Sequence, residues 1–166
     1  ENNTILLIEG IHGLNPKLIP TLEEDTIYKI YISALTQLNL DDHNRISTTD
    51  NRILRRITRD NMTRGVSATT TLKMWESVEA GENKHIFPYQ NNANSILNSA
   101  LEYELGAIKP FVEPLLKTVE PSDSMAFAIA RRLLGFLSRV HPIPESFVPK
   151  DSLLREFIGG SEFDVT

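Results

Sequence analysis

Residues 50–65 read DNRILRRITRDNMTRG, and this stretch predicts an amphipathic helix that is also strongly basic. Asp50 is a suitable N-cap, because its carboxylate can accept a backbone N–H of the first turn. Gly65 is expected to end the helix, since glycine readily adopts the left-handed conformation that follows a last turn. The apolar residues of the stretch share one helix face, which predicts packing against a core: Ile53, Leu54 and Ile57.

The same stretch concentrates arginine in a chain of 166 residues whose net charge is −5. Six of the ten arginines fall between residues 45 and 64: Arg45, Arg52, Arg55, Arg56, Arg59 and Arg64. Like charges on neighbouring turns destabilise a helix unless something pairs them, and a planar guanidinium suits phosphate oxygens. Two interpretations remain open, namely a phosphate-binding face or a solvated basic face held by ion pairs.

Two strands are predicted upstream of this helix. Thr4–Ile8 is a continuous apolar run closed by Glu9 and Gly10, which is typical of a strand buried on both faces. Thr26–Ser33 is rich in β-branched and aromatic residues and predicts a second strand. Glu9 then lies at the carboxyl end of a buried strand, where open α/β sheets bind ligands. It is either a magnesium ligand or a strand-ending glutamate in a turn.

Further helices are predicted downstream, with an extended connector at residues 87–89. Their expected ranges are 67–80 (capped by Ser67 or Thr69), 105–119, 123–140 and 151–158. The third has an apolar stripe at helical spacing: Met125, Ile129, Leu133, Phe136 and Val140. Residues 93–101 fit either a helix or a strand. Because strands precede and alternate with helices, the pattern predicts an α/β layer structure.

Composition excludes several classes of protein. The chain has no cysteine, which rules out disulfides and thiolate metal sites and fits a cytoplasmic location. No apolar run approaches the roughly 18 residues of a membrane span, and the acidic balance argues against general nucleic-acid binding. The four histidines lack zinc-site spacing. No glycine is followed by lysine, so the chain contains no GxxxxGK[ST] phosphate-binding loop.

Residues 55–65 (RRITRDNMTRG) resemble the lid segment of uridine kinases, a pattern of the form RRIxRDxxxRG. The ILLIEG run that ends at Glu9-Gly10 resembles the second acidic strand of the same family. Residues 93–105 and 152–161 are similar to a bacterial branch in which a kinase-like domain follows modules related to threonyl-tRNA synthetase. The likeness is therefore to the C-terminal part of a P-loop kinase of the uridine kinase and phosphoribulokinase group.

This resemblance implies a partial P-loop kinase fold, with a parallel sheet, flanking helices and a helical lid. It places the kinase core in residues 1–120, with the lid in 50–80, and a C-terminal helical extension in 121–166. A strand is implied at residues 95–97. The implied site residues have separate roles: Glu9 places magnesium, Arg56 and Arg59 approach the donor phosphates, Arg64 lies near the acceptor, and Asp60 anchors the arginines.

The expected activity is ATP-dependent phosphotransfer to a nucleoside or similar small hydroxyl acceptor, with ATP and Mg²⁺ as cofactors. Val66 stands two positions after Arg64, where uridine kinases carry a further arginine, so the acceptor stays open. Because the phosphate loop is absent, we expect a piece of a longer kinase that is inactive alone. Two alternatives are a non-catalytic module that binds phosphate or RNA, and a structural interaction module that forms homo-oligomers through an exposed sheet edge.

Overall fold

The computed structural model describes residues 4–18, 20–36 and 47–163 of the chain. Together these residues form five α-helices and a two-stranded parallel sheet, which confirms the predicted α/β class. They divide into two compact units. The sheet unit comprises the described residues of Glu1–Ser33 and Glu76–Asn98, and the helical unit those of Ala34–Trp75 and Ser99–Thr166. No described helix is long and apolar enough to cross a lipid bilayer.

The sheet unit is built on two short strands, β1 (Ile30–Ser33) and β2 (Ser95–Asn98). They run parallel and in register, with Ile32 opposite Leu97. The loop before β1 is joined to the start of β2 by the Lys29 N–H, which donates to Asn94 Oδ1 at 2.7 Å. The strand implied at residues 95–97 is confirmed, and the strand predicted at residues 26–33 is confirmed in its second half.

Two local predictions for the sheet unit are wrong. Residues 4–8 form no strand, and Ile5 is 96% exposed. A strand buried on both faces needs hydrogen-bonded neighbours and covering helices, and the sheet formed by the described residues contains only β1 and β2. The connector expected to be extended at residues 87–89 instead begins a 3-10 helix, Phe87–Asn92. Proline is well suited to its start, since the first N–H groups of a helix have no internal partner.

The helical unit holds four helices: α1 (Thr48–Arg64), α3 (Glu104–Lys117), α4 (Ser124–Leu137) and α5 (Arg155–Ile158). A further helix, α2 (Ala68–His85), runs through both units. α3 packs against α1, α4 and α5, and α1 also packs against α5. The predicted apolar face of α1 is confirmed, because its members are at most 2% exposed. The other fully buried large apolar side chains of this core come from α3, from α4 and from the N-cap of α5: Ile108, Val112, Leu116, Leu133, Leu137 and Leu154.

The beginning of α1 differs from the prediction. Ser47, rather than Asp50, is the N-cap, and its hydroxyl accepts the N–H of Asp50 at 3.4 Å. The helix therefore starts one turn earlier, at Thr48. The Asp50 carboxylate instead accepts a hydrogen bond from Arg132 of α4, which raises the pKa of that guanidinium.

The buried face of α4 also differs from the predicted stripe. It is formed by Ala126, Ala130, Leu133 and Leu137, whereas Met125 is 69% exposed. The sequence pattern favoured the large side chains, but the packed face includes two alanines. Small side chains let two helix backbones approach closely, and neither hydrophobicity nor period reveals where that approach occurs.

Candidate functional site

The site with the most basic residues lies at the C-terminal half of α1, whose end is fixed by Gly65. Gly65 has a φ of 63°, and its N–H donates to Asn61 O at 3.1 Å. The Val66 N–H donates to Asp60 O at 3.1 Å and closes the helix end. The predicted stop at Gly65 is confirmed, and Arg64 is thereby held in the last turn of α1.

Asp60 is the centre of the arginine site. Its side chain is only 2% exposed, and three arginines of the same helix lie around it. Arg64 Nη1 donates to Oδ1 at 3.0 Å, one turn after Asp60. Arg56 Nε lies 3.2 Å from Oδ2, one turn before it, and Arg59 Nε lies 4.0 Å from Oδ1. We call Arg56, Arg59, Asp60 and Arg64 the Asp60 cluster. The resemblance implies that Arg56 and Arg59 approach the donor phosphates, that Arg64 lies near the acceptor, and that Asp60 anchors the arginines.

The Asp60 cluster has more donors than its carboxylate satisfies. The Nε atoms of Arg56 and Arg59 are buried and have no hydrogen-bond partner among the described residues. For Arg56 the 3.2 Å separation from Asp60 is short enough for an ion pair, but the groups are not aligned as a hydrogen bond. The side chains are 26%, 31% and 59% exposed for Arg56, Arg59 and Arg64. Their outer N–H groups therefore reach solvent, where an anion could accept from them.

One carboxylate from outside α1 also contacts the cluster. Arg59 Nη1 donates to Glu156 Oε1 of α5 at 3.1 Å. The two residues are 97 positions apart, and the sequence analysis did not single out Glu156. No local pattern could have found it, because the contact depends on how α5 packs against α1.

Arg55 belongs to the same motif but has a structural role. It is 8% exposed and forms a two-pronged ion pair with Glu104, which is 1% exposed. Its Nη2 also donates to Ser99 O at 2.6 Å, and its guanidinium lies 5.0 Å from the centre of the Phe157 ring. Arg55 therefore lies on the buried side of α1. Each of its three nitrogens donates to Glu104 or Ser99 and the side chain is buried, so it is not available to a ligand.

Two arginines of the predicted group remain, Arg45 and Arg52. Arg45 and His43 lie outside the described residues. Arg52 is half-buried on the first half of α1 and makes an interaction of its own. The phosphate-binding candidates that the structure brings together are therefore the three arginines around Asp60.

Glu9, the predicted magnesium ligand, lies in the sheet unit and is exposed. It follows the apolar run of residues 4–8 and precedes a turn in which the Gly13 N–H donates to Gly10 O at 2.9 Å. Nowhere in the described ranges do three or more His, Cys, Asp or Glu side chains group closely enough to hold a metal ion. Magnesium is commonly bound by one or two carboxylates together with substrate phosphates, so the role of Glu9 stays a prediction.

His12 lies within this turn and meets His85, at the end of α2, edge to face. The two ring centroids are 4.9 Å apart, and the rings are inclined at 81°. This contact joins the turn to the second half of α2 within the sheet unit.

Comparison of the chain with models of protein families, with curated proteins and with solved structures found no match.

Proposed function

We propose that this chain takes part in ATP-dependent phosphoryl transfer to a nucleoside or similar small hydroxyl acceptor, with α1 as a lid helix that contacts phosphate. The observation that carries the proposal is the Asp60 cluster, in which three guanidinium groups share one buried carboxylate. The resemblance of residues 55–65 to the lid segment of uridine kinases supports the same assignment. We also propose that the chain forms part of a P-loop kinase fold.

Charge balance favours an anion at this site. Asp60 compensates one of three positive charges, and Glu156 compensates a second. One positive charge remains, together with the unpartnered Nε groups of Arg56 and Arg59. A terminal phosphate supplies several acceptor oxygens and more than one negative charge, and hydrogen bonds between ionised partners are the strongest kind.

The proposed roles follow the order of the arginines along α1. In the transfer, the acceptor hydroxyl oxygen attacks the terminal phosphorus, the bond to the bridging oxygen breaks, and ADP leaves. Arg56 and Arg59 would stabilise negative charge on the donor phosphates, and Arg64 would do so on the acceptor side. Asp60 would hold the guanidinium groups in place before ATP arrives, so that little ordering is needed on binding.

Oxygen ligands would hold the magnesium ion that the reaction needs. Mg²⁺ bound with ATP neutralises charge on the phosphates. Glu9 fits the chemistry of such an ion, because carboxylate oxygen is a preferred magnesium ligand. Since the chain contains no GxxxxGK[ST] motif, we propose that the phosphate cradle and the general base come from another polypeptide segment. We place the phosphotransferase in the cytoplasm.

Titration of the full chain with MgATP tests the proposal. We expect Arg56→Gln, which removes an arginine assigned to the donor phosphates, to weaken binding by roughly tenfold or more, because a hydrogen bond to a charged group contributes about 1.5–3 kcal/mol. Arg131→Gln on α4 is the matched control, because Arg131 is exposed and the change removes the same charge. We expect Arg131→Gln to bind MgATP as the unchanged chain does.

Two results would contradict the proposal. Equal affinities of Arg56→Gln and the unchanged chain would show that the Asp60 cluster does not bind the nucleotide. Salt-sensitive binding of single-stranded RNA, with no binding of MgATP, would instead support the non-catalytic module. Phosphate transfer by the chain alone would leave the phosphotransferase standing but remove the need for a second segment.

A further inference from the structure

We infer that Glu156 of α5 competes within the chain for the anion site at Arg59, so that the C-terminal segment keeps this site partly closed until phosphate displaces it. The inference rests on the proposed function, since it concerns the regulation of the same arginines. It starts from the contact between Arg59 Nη1 and Glu156 Oε1, at 3.1 Å.

The Glu156 carboxylate occupies the position on Arg59 that a phosphate oxygen would take. Arg59 Nε lies 4.0 Å from Asp60 Oδ1, whereas Arg64 Nη1 lies 3.0 Å from the same oxygen. Asp60 therefore holds Arg59 more loosely than it holds Arg64. Carboxylate and phosphate oxygens accept from a guanidinium with the same geometry. The N–H of Nη1 that donates to Glu156 therefore becomes available to a phosphate only when this ion pair opens.

Packing, rather than the ion pair, holds Glu156 beside α1. The residues on either side of it are buried: Arg155 is 7% exposed and Phe157 is 8% exposed. Arg155 Nη1 donates to Glu145 Oε1 at 2.8 Å, and the Phe157 ring lies against Arg55. The backbone of α5 is thus fixed against α1 by its neighbours, and the Glu156 side chain needs only its own rotation to meet or leave Arg59.

The ion pair between Glu156 and Arg59 is weak enough for phosphate to displace Glu156. The Glu156 side chain is 51% exposed and that of Arg59 is 31% exposed, so solvent screens the pair. Exposed ion pairs of this kind change an equilibrium by at most about fivefold. A polyphosphate carries several charges and contacts more than one arginine, so it displaces the single carboxylate.

Calorimetric titration of the full chain with inorganic tripolyphosphate tests the inference. We expect Glu156→Gln to bind about two- to fivefold more tightly than the unchanged chain. Glu120→Gln is the matched control: Glu120 is exposed, lies outside the Asp60 cluster, and loses the same charge. It should leave the affinity unchanged. In an Arg59→Gln background, Glu156→Gln should have no effect, because the group for which it competes is gone.

The outcomes separate the inference from the proposed function. If Glu156→Gln binds tripolyphosphate as the unchanged chain does, while Arg59→Gln binds it less tightly, the inference is overturned and the phosphate site stands. If Glu156→Gln and Glu120→Gln tighten binding equally, general charge explains the gain and the inference is again overturned. If neither the unchanged chain nor Glu156→Gln binds tripolyphosphate, both the proposed function and the inference fail. The fluorescence of Trp75 confirms that each variant is folded.

Discussion

The helical unit and the sheet unit bury their apolar residues to very different extents. In the helical unit, Leu54 and Ile108 are fully buried, whereas in the sheet unit Ile32 is 60% and Leu97 is 51% exposed. A helix pairs its backbone internally and needs cover for one stripe, but a parallel sheet needs cover on both faces and neighbours at both edges. The helical unit therefore holds a core of its own, and the sheet residues find no comparable cover in the described chain.

The largest expected effect comes from breaking the buried ion pair of the helical unit. Glu104→Ala leaves the Arg55 guanidinium buried without its carboxylate. We expect a loss of about 3–5 kcal/mol in the free energy of unfolding. Urea denaturation followed by the fluorescence of Trp75, the only tryptophan, measures it.

The double variant Arg55→Met with Glu104→Leu is the control for this experiment. It removes both charges and fills the same space, so it should be more stable than Glu104→Ala. A double variant as unstable as the single one would mean that Arg55 contributes through its packing on Phe157 rather than through its charge.

The contrast between the units is tested directly by one truncation in each. Leu54→Ala removes a side chain that is 0% exposed and should cost about 2–5 kcal/mol. Ile32→Ala removes one that is more than half exposed and should change stability by less than about 0.5 kcal/mol. Hydrogen exchange of the amides in α1 and in β1 reports on the two units separately. A large loss with Ile32→Ala would show that the sheet is covered in solution.

Two helical glycines test how closely neighbouring residues pack against α3 and α4 in the helical unit. A Cβ added to Gly106 of α3 would lie 2.8 Å from both the His141 carbonyl oxygen and the Ile143 side chain. A Cβ added to Gly135 of α4 would have no atom within 4 Å apart from its chain neighbours and its own helix backbone. Gly106→Ala should therefore destabilise by about 1–3 kcal/mol. Gly135→Ala should stabilise by about 0.5–1 kcal/mol, since alanine is the better helix former. Thermal denaturation decides the signs, and equal signs would contradict the close approach at Gly106.

The smallest effect is expected at the surface of α3. Lys117 Nζ donates to Glu113 Oε1 at 2.6 Å, and this hydrogen bond lowers the pKa of Glu113. Because the folded pKa is lowered, the contribution to stability is present above the ordinary pKa of glutamate and is lost as the pH falls through the folded value. In Lys117→Met, the Glu113 pKa measured by NMR should rise towards its ordinary value. An unchanged pKa would show that the contact does not form in solution.

The sequence predicted those features of the candidate site that depend on local spacing. The end of α1 at Gly65, its buried face and the gathering of Arg56 and Arg64 one turn on either side of Asp60 all follow from helical geometry. The start of α1 was misplaced because Ser47 and Asp50 both lie at its first turn and both can cap a helix. The strand predicted at residues 4–8 failed because a buried strand depends on neighbours that its own residues do not specify.

By itself, the sequence determined the mixed α/β class, the buried apolar face of α1 and its closing glycine, and the concentration of arginines on that helix. Only the tertiary structure decided which arginine is structural and which contacts a second carboxylate. Arg55 finds Glu104 49 positions away, and Arg59 finds Glu156 97 positions away. A helix fixes the directions of its side chains within a few turns, but the packing of α1 against α3 and α5 determines what they meet.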